Sequence, residues 1–149
     1  MASIEQRLAG HKVVGLDTSV FIYHLESHPR YQPLTRVVLN AVQSGQLQGV
    51  TTVVTLMELT VRPWQLNQAQ VARQYEVLLV NFPNLMLLDV NRDVARKATQ
   101  LRASDKLRPA DALQVATALE YGATVFVTND KQLKRLTSHL DVIVLEEFA

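Results

Sequence analysis

Short apolar runs recur along this chain, and longer segments with helical spacing of apolar residues separate them. The first run, Lys12–Leu16, is too short for a helix and carries the β-branched and bulky residues typical of a strand covered on both faces. Four later runs are predicted to be strands as well: Gly49–Thr52, Leu85–Val90, Thr124–Val127 and Asp141–Val144. Strands that alternate with helices favour an α/β sandwich around a mainly parallel sheet.

The segments between these runs are predicted to be helical, because their apolar residues recur at intervals of three and four. The predicted helices are Ser19–His28, a helix opened by Pro33 and stopped by Gly45, Val54–Val61, Gln65–Val80, Arg92–Ser104, Ala110–Tyr121 and Lys131–Leu136. Arg62-Pro63-Trp64 is expected to end the third helix and separate it from the fourth, since proline lacks an N–H and clashes inside a helix. The residues predicted to face the core are Val54, Leu56, Met57, Leu59 and Val61 in the third helix, and Val71, Tyr75, Leu78 and Leu79 in the fourth.

The composition fits a single globular domain, residues 1–149. A chain of 149 residues with 48% hydrophobic content can bury a core. It has no cysteine, so a metal would have to be bound by oxygen or histidine. The net charge of +1 provides no whole-molecule field for nucleic acid, and an RNA partner would need a local basic patch. No apolar segment is long enough to span a membrane, and we expect a soluble cytoplasmic protein.

Four acidic residues stand where a solvated charge is unusual. Asp17 and Asp130 follow predicted strands, Glu58 lies inside an apolar helix, and Asp111 lies in the first turn of another helix. In open parallel sheets, ligands bind at the carboxyl ends of the strands, which places Asp17 at a site. The alternative is that Asp17 merely caps the helix that follows, since aspartate is a preferred N-cap residue.

Four converging carboxylates would repel one another. They could share protons, or a hard divalent cation with oxygen ligands, such as Mg²⁺ or Mn²⁺, could hold them together. The helix N-terminus near Asp111 would also favour its ionised form. Acid clusters that bind such ions typically act on phosphates, so the pattern indicates phosphate chemistry.

Four segments resemble, in order, the motifs of the PIN-domain ribonucleases, a family that includes the VapC toxins of bacterial toxin–antitoxin pairs. The segments are Leu16–Tyr23, Thr55–Leu59, Leu107–Gln114 and Val127–Lys131. Any one of them is weak evidence, but four in order at family-like intervals are specific, and the match covers nearly the whole chain. The third segment departs from the usual pattern, because Ala110 separates Pro109 from Asp111.

The resemblance implies a metal-dependent ribonuclease. It assigns binding of Mg²⁺ or Mn²⁺ to four acids and polar support to two hydroxyls: Asp17, Glu58, Asp111 and Asp130, with Ser19 and Thr128. It implies a three-layer sandwich with a five-stranded sheet, and hydrolysis of RNA phosphodiester bonds without a protein nucleophile. The likeness to VapC toxins also implies a small antitoxin partner, whose helix would dock along Val54–Val61 and Gln65–Val80. A homodimer is a further expectation.

Basic residues precede Asp111 and are candidates for binding RNA: Arg102, Lys106 and Arg108. They could guide a phosphate backbone to the acids, although basic residues on a helix are often only a solvated face.

Two other function classes stay open. A phosphotransfer domain also has an aspartate after its first strand, but an aspartate-nucleophile phosphatase needs a second aspartate where this chain has Ser19. A receiver domain needs an acidic pair upstream that is missing here. A PIN-like module that has lost catalysis could still bind RNA or protein, although the presence of all four acids argues against it.

Overall fold

The sheet has five parallel strands, as predicted. In the computed structural model, which describes every residue from Met1 to Ala149, the strands are β1 (Val13–Leu16), β2 (Gln48–Thr52), β3 (Leu85–Leu88), β4 (Val125–Thr128) and β5 (Asp141–Val144). They lie in the order β3-β2-β1-β4-β5, and every neighbouring pair is parallel. The chain moves outward from β1 to β3 and returns to the other side of β1 for β4. A crevice therefore forms at the carboxyl ends of β1 and β4.

Helices connect the strands. They are α1 (Ile4–Leu8), α2 (Thr18–Leu25), α3 (Gln32–Gln43), α4 (Val53–Gln65), α5 (Ala69–Asn81), α6 (Arg92–Asp105) and α7 (Pro109–Glu120). The predicted helix Lys131–Leu136 is a 3-10 helix, and a second one spans Leu145–Phe148. Helix α1 was not predicted from the sequence, although Ser3 and Gln6 form a capping box at its start. No helix is both long and apolar enough to cross a membrane.

The central strand β1 separates two apolar cores. Val14 and Leu16 belong to one core, whereas Phe126 of the neighbouring strand belongs to the other. Gly15, between Val14 and Leu16 in the strand, faces the core that contains Phe126. A Cβ atom at Gly15 would lie 2.6 Å from Phe126 Cδ1 and 2.7 Å from Ala118 Cβ. Only glycine therefore lets the side chains of β4 and α7 pack this close to the backbone of β1. The tight packing fixes α7, and with it Asp111, against the central strands.

The predicted helix break at Arg62-Pro63-Trp64 is wrong. Helix α4 continues through Pro63 to Gln65, and α5 begins only at Ala69. Proline removes one N–H from the helix, but Pro63 is buried and its carbonyl accepts a hydrogen bond from the Gln68 N–H at 2.8 Å. The chain turns instead at Asn67, whose φ is 55°.

The inward faces assigned to α4 and α5 are also partly wrong. Met57, Val61 and Leu78 are 60%, 48% and 52% exposed. Only a narrow stripe of each helix is fully buried, which includes Leu59 in α4 and Leu79 in α5. The exposed apolar residues therefore lie on an outer surface rather than in the core.

Candidate active site

Four acidic side chains line one open cleft of about 790 Å³: Asp17, Glu58, Asp111 and Asp130. Asp17 follows β1, and Asp130 lies just past the end of β4. Glu58 comes from α4, which begins where β2 ends, and Asp111 lies in the first turn of α7. The structure thus brings together all four acids that the sequence singled out.

Both carboxylate oxygens of Asp17 accept hydrogen bonds. Oδ1 accepts from the Thr18 backbone N–H at 2.8 Å, and Oδ2 accepts from the Thr128 hydroxyl at 2.6 Å. Asp17 is the N-cap of α2 and lines the cleft, so the two interpretations of this residue are compatible. Burial raises the pKa of Asp17 to about 6; the two hydrogen bonds oppose this, and the charges of Asp111 and Glu58 add to it.

Glu58 lies on the rim of the cleft and is exposed to solvent. The expectation that Glu58 stands where a solvated charge is unusual is wrong, because its side chain and that of the adjacent Met57 are both exposed. Glu58 Oε1 accepts a hydrogen bond from the Thr18 hydroxyl at 2.7 Å. Since Thr18 directly follows Asp17, this bond ties the two acids to the same short segment.

Arg108 joins the other two acids. Its Nε donates to Asp111 Oδ2 at 3.0 Å, and its Nη2 donates to Asp130 Oδ2 at 3.1 Å. The hydrogen bond and the negative charge of Asp111, followed by the charge of Asp130, raise the pKa of Arg108. Its side chain is 73% exposed, so water screens and weakens both ion pairs.

The two hydroxyls predicted to support the site differ in their contacts. Thr128 donates to Asp17 and accepts a hydrogen bond from the Asp130 backbone N–H at 3.1 Å, so it links two of the acids. Ser19 lines the same cleft, but its buried Oγ has no hydrogen-bond partner. This hydroxyl is therefore available to a ligand.

The donor chemistry of the cleft fits a hard divalent cation. All four acids supply the carboxylate oxygens that Mg²⁺ and Mn²⁺ prefer, and the unpartnered Ser19 hydroxyl adds another oxygen. The acids are not arranged as a ready cage, because no three of them lie close enough together to hold one ion. Binding through three carboxylates would require side-chain rotation and the release of Asp111 or Asp130 from Arg108.

Of the three basic candidates, only Arg108 lines the cleft. Arg102 donates from Nε to the Leu107 carbonyl at 3.2 Å, and Lys106 ends α6 in a left-handed conformation with φ of 56°. Both are exposed outside the cleft. Lys131 does line the cleft; it was not predicted as a site residue, even though it directly follows Asp130.

A buried polar network beneath the cleft was missed as well. Gln114 is 3% exposed, and its side-chain amide donates to the hydroxyls of Thr18 and Thr55. The available signal was a long polar side chain on a helix whose neighbouring residues are nearly all apolar. Such a residue requires buried hydrogen-bond partners.

An apolar groove of about 300 Å³ adjoins the cleft, between α2, α4 and α5. Its lining is mostly apolar and includes Ile22, Leu25, Leu59, Leu66, Val71 and Tyr75. Glu58 lines both the groove and the cleft, and Arg62 lies in the groove. Trp64, near the end of α4, is 55% exposed. A helix lying in this groove would therefore reach the edge of the acid cluster.

Comparison with known proteins identifies the family. The sequence model of the PIN domain matches residues 14–138, a span that contains all four acids and the Gln114 network. No curated protein matches the sequence closely enough to count as a relative.

Solved structures share the fold at low sequence identity. A chain of VapBC2 from Rickettsia felis, bound to a DNA fragment from its promoter, is 17% identical with a TM-score of 0.70, over 89% of this chain and 98% of that one. A chain of the FitAcB structure from Neisseria gonorrhoeae is 18% identical with a TM-score of 0.66, over 90% and 98%. A chain of a toxin–antitoxin complex from Klebsiella pneumoniae is 22% identical with a TM-score of 0.62, over 90% and 97%.

Proposed function

This chain belongs to the PIN-domain family, and from that premise we propose that it is a divalent-metal-dependent ribonuclease that hydrolyses RNA phosphodiester bonds. The observation that carries the proposal is the cleft that collects four carboxylates from four separate segments. Such a concentration of negative charge would repel a phosphate backbone on its own. It becomes useful to a nuclease when cations lie between the acids and the phosphate.

Asp17, Glu58, Asp111 and Asp130 would hold Mg²⁺ or Mn²⁺. When bound, such ions stabilise the charge that develops as water attacks phosphorus. Thr128 and the Thr18 N–H fix the Asp17 carboxylate in one orientation, so that it does not need to reorganise. The Ser19 hydroxyl has no protein partner and would turn toward the bound ion.

The cationic side chains at the rim would bind the substrate. Arg108 and Lys131 line the cleft, and the exposed guanidinium of Arg108 can exchange its carboxylate partners for a phosphate. Arg102 and Lys106 lie farther out and would contact phosphates away from the cleaved bond.

Cleavage of mixed RNAs by the pure protein, with and without Mn²⁺, tests the proposal. We expect Mn²⁺-dependent cleavage by the wild type and none by Asp17→Asn. Asp93→Asn is the matched control, because Asp93 is exposed on α6 and does not line the cleft. Equal cleavage by the wild type and Asp17→Asn would refute the site, and single-stranded DNA cut as fast as RNA would refute the substrate class.

We further propose that the protein is a VapC-like toxin controlled by a small antitoxin protein. The structural neighbours include toxin–antitoxin complexes, and the apolar groove offers a surface for a partner helix. Because Glu58 borders this groove, a basic residue of the antitoxin could reach the acids. A homodimer is also proposed, since symmetric dimers are the commonest protein assembly.

Growth on expression tests the toxin proposal. The chain should slow growth alone but not beside its antitoxin gene, whereas Asp17→Asn should be harmless in both settings. Leu66→Lys, in the groove, should prevent rescue by the antitoxin; Val77→Lys, at an exposed site outside the groove, should not. Equal growth in every case would refute the toxin proposal and leave the nuclease proposal standing.

A second candidate is a non-catalytic PIN module that binds RNA or protein. The arrangement around Arg108 favours it, because this guanidinium pairs with two acids and offsets part of their charge without a metal. The test is to measure RNA binding beside the cleavage assay described above. A protein that binds RNA but shows no Mn²⁺-dependent cleavage would support this candidate over the nuclease.

A further inference from the structure

We infer that Gln114 is a positioning residue of the cleft, which holds the Thr18 hydroxyl in the orientation that donates to Glu58. The inference rests on the proposed function, because it gives Gln114 a part in placing a metal ligand. Gln114 lies on α7 one turn after Asp111. It is 3% exposed and does not line the cleft, so it acts from beneath the site.

The Gln114 amide is bonded through both of its ends. Nε2 donates to Thr18 Oγ1 at 3.0 Å and to Thr55 Oγ1 at 2.6 Å. Oε1 accepts from the Thr52 hydroxyl at 2.7 Å. Both amide protons are thus used, and the side chain is held in one orientation.

The Thr18 hydroxyl has a single proton, and this fixes which of its hydrogen bonds it donates and which it accepts. A threonine hydroxyl has one proton, and that of Thr18 is donated to Glu58 Oε1 at 2.7 Å. Thr18 must therefore accept from its two buried neighbours, the Gln114 amide and the Thr55 hydroxyl, each at 3.0 Å. The Gln114 amide donates to both threonines, so it sets the direction of both bonds. If the amide were reversed, its oxygen would compete with Glu58 for the Thr18 proton.

Gln114 also holds the helix that carries Glu58. Thr52 is the N-cap of α4 and accepts from the Val54 N–H at 3.0 Å, and Thr55 lies in the first turn of the same helix. Gln114 contacts both threonines, which lie 62 and 59 residues away in sequence. A single side chain therefore fixes Glu58 from two directions, through Thr18 and through the start of α4.

Packing alone does not explain this network. Burying an amide and several hydroxyls is costly unless every group is bonded, and apolar side chains would join the same helices without that cost. Apolar side chains could not, however, orient a hydroxyl toward Glu58. The feature that distinguishes this network from ordinary packing is that it ends on a cleft carboxylate.

The inference is tested by measuring Mn²⁺ affinity with titration calorimetry. Gln114→Met keeps the length of the side chain and removes its hydrogen bonds, and we expect Mn²⁺ affinity to fall about tenfold, as is usual for groups that orient metal ligands. Thr117→Val is the matched control: Thr117 is fully buried on the same helix, but its hydroxyl donates only to the Leu113 carbonyl. We expect this variant to bind Mn²⁺ like the wild type.

A double-mutant cycle separates positioning from general destabilisation. Thr18→Val should also weaken Mn²⁺ binding, and adding Gln114→Met should cost less affinity than it does in the wild type, because the two changes share the bonds that run through Thr18. If Gln114→Met does not fold, Thr18→Ser and Thr18→Val carry the test, and the serine, which keeps the hydroxyl, should bind Mn²⁺ more tightly than the valine.

Three results would overturn the inference: wild-type affinity in Gln114→Met, additive losses in the cycle, or equal affinities for Thr18→Ser and Thr18→Val. Failure of the proposed function gives a different result. A wild type that binds Mn²⁺ but cleaves no RNA refutes the nuclease alone, since positioning is measured by binding. A wild type that binds no Mn²⁺ at millimolar concentration refutes both.

Discussion

Replacing Asp17 with asparagine should stabilise the metal-free protein at neutral pH. Burial raises the pKa of this carboxyl from its ordinary value of 3.8 to about 6, so ionisation costs more in the folded chain than in the unfolded one. The difference corresponds to about 3 kcal/mol of unfolding free energy above pH 6. Asparagine can still accept from the Thr18 N–H but weakens the bond to Thr128, which costs about 1 to 2 kcal/mol. The net gain should be about 1 to 2 kcal/mol.

The gain should depend on pH with a definite sign. Well below pH 3.8 the carboxyl is protonated in both states, and the variant has no electrostatic advantage. As the pH rises toward 6, the unfolded chain loses the proton first, so the wild type loses stability relative to the variant. Well above pH 6 the difference in stability should become constant.

Urea unfolding across this pH range, with chelator present, measures the effect. Thermal melting should show a rise of about 2 to 4 °C for each kcal/mol gained. Asp93→Asn is the control, because its carboxylate is 72% exposed and should show no comparable pH-dependent gain. A difference between wild type and Asp17→Asn that does not change with pH, or a wild type that is more stable at neutral pH, would refute the electrostatic reasoning.

Further predictions concern activity, metal, RNA and packing. Asp111→Asn should abolish cleavage in the RNA assay while the circular dichroism spectrum stays native, because it removes one proposed ligand without a core contact. Saturating Mg²⁺ or Mn²⁺ should raise the melting temperature of the wild type, because metal at a hundred times its dissociation constant adds about 2.7 kcal/mol to the free energy of unfolding. An unchanged melting temperature would count against the site. Alanine at both Arg102 and Lys106 should weaken RNA binding and flatten its salt dependence, whereas an unchanged salt slope would leave them as solvated surface. Gly15→Ala should destabilise the fold by about 1 to 3 kcal/mol in urea unfolding, because the new methyl group would meet Phe126.

Local patterns in the sequence predicted the frame of the molecule. The apolar runs and helical spacings gave all five strands and most helices, because these features depend on neighbouring residues. Errors came where tertiary contacts override local preference. Pro63 stays inside α4 since its ring is buried, and Met57 is exposed since α4 packs through only a narrow stripe.

The acids of the cleft could be predicted as well. Strand ends and a helix start place Asp17, Asp130 and Asp111 at one edge of a parallel sheet, and Glu58 stood out as a charge within an apolar helix. Their electrostatics could not be predicted. The raised pKa of Asp17 depends on how completely the surrounding chain excludes water, and the Arg108 bridge depends on Asp130, which lies 22 residues away in sequence. The bond from Gln114 to Thr18 spans 96 residues. Composition and periodicity determine which residues gather, whereas proton placement and charge pairing are decided by distances that exist only after the sheet has brought distant segments together.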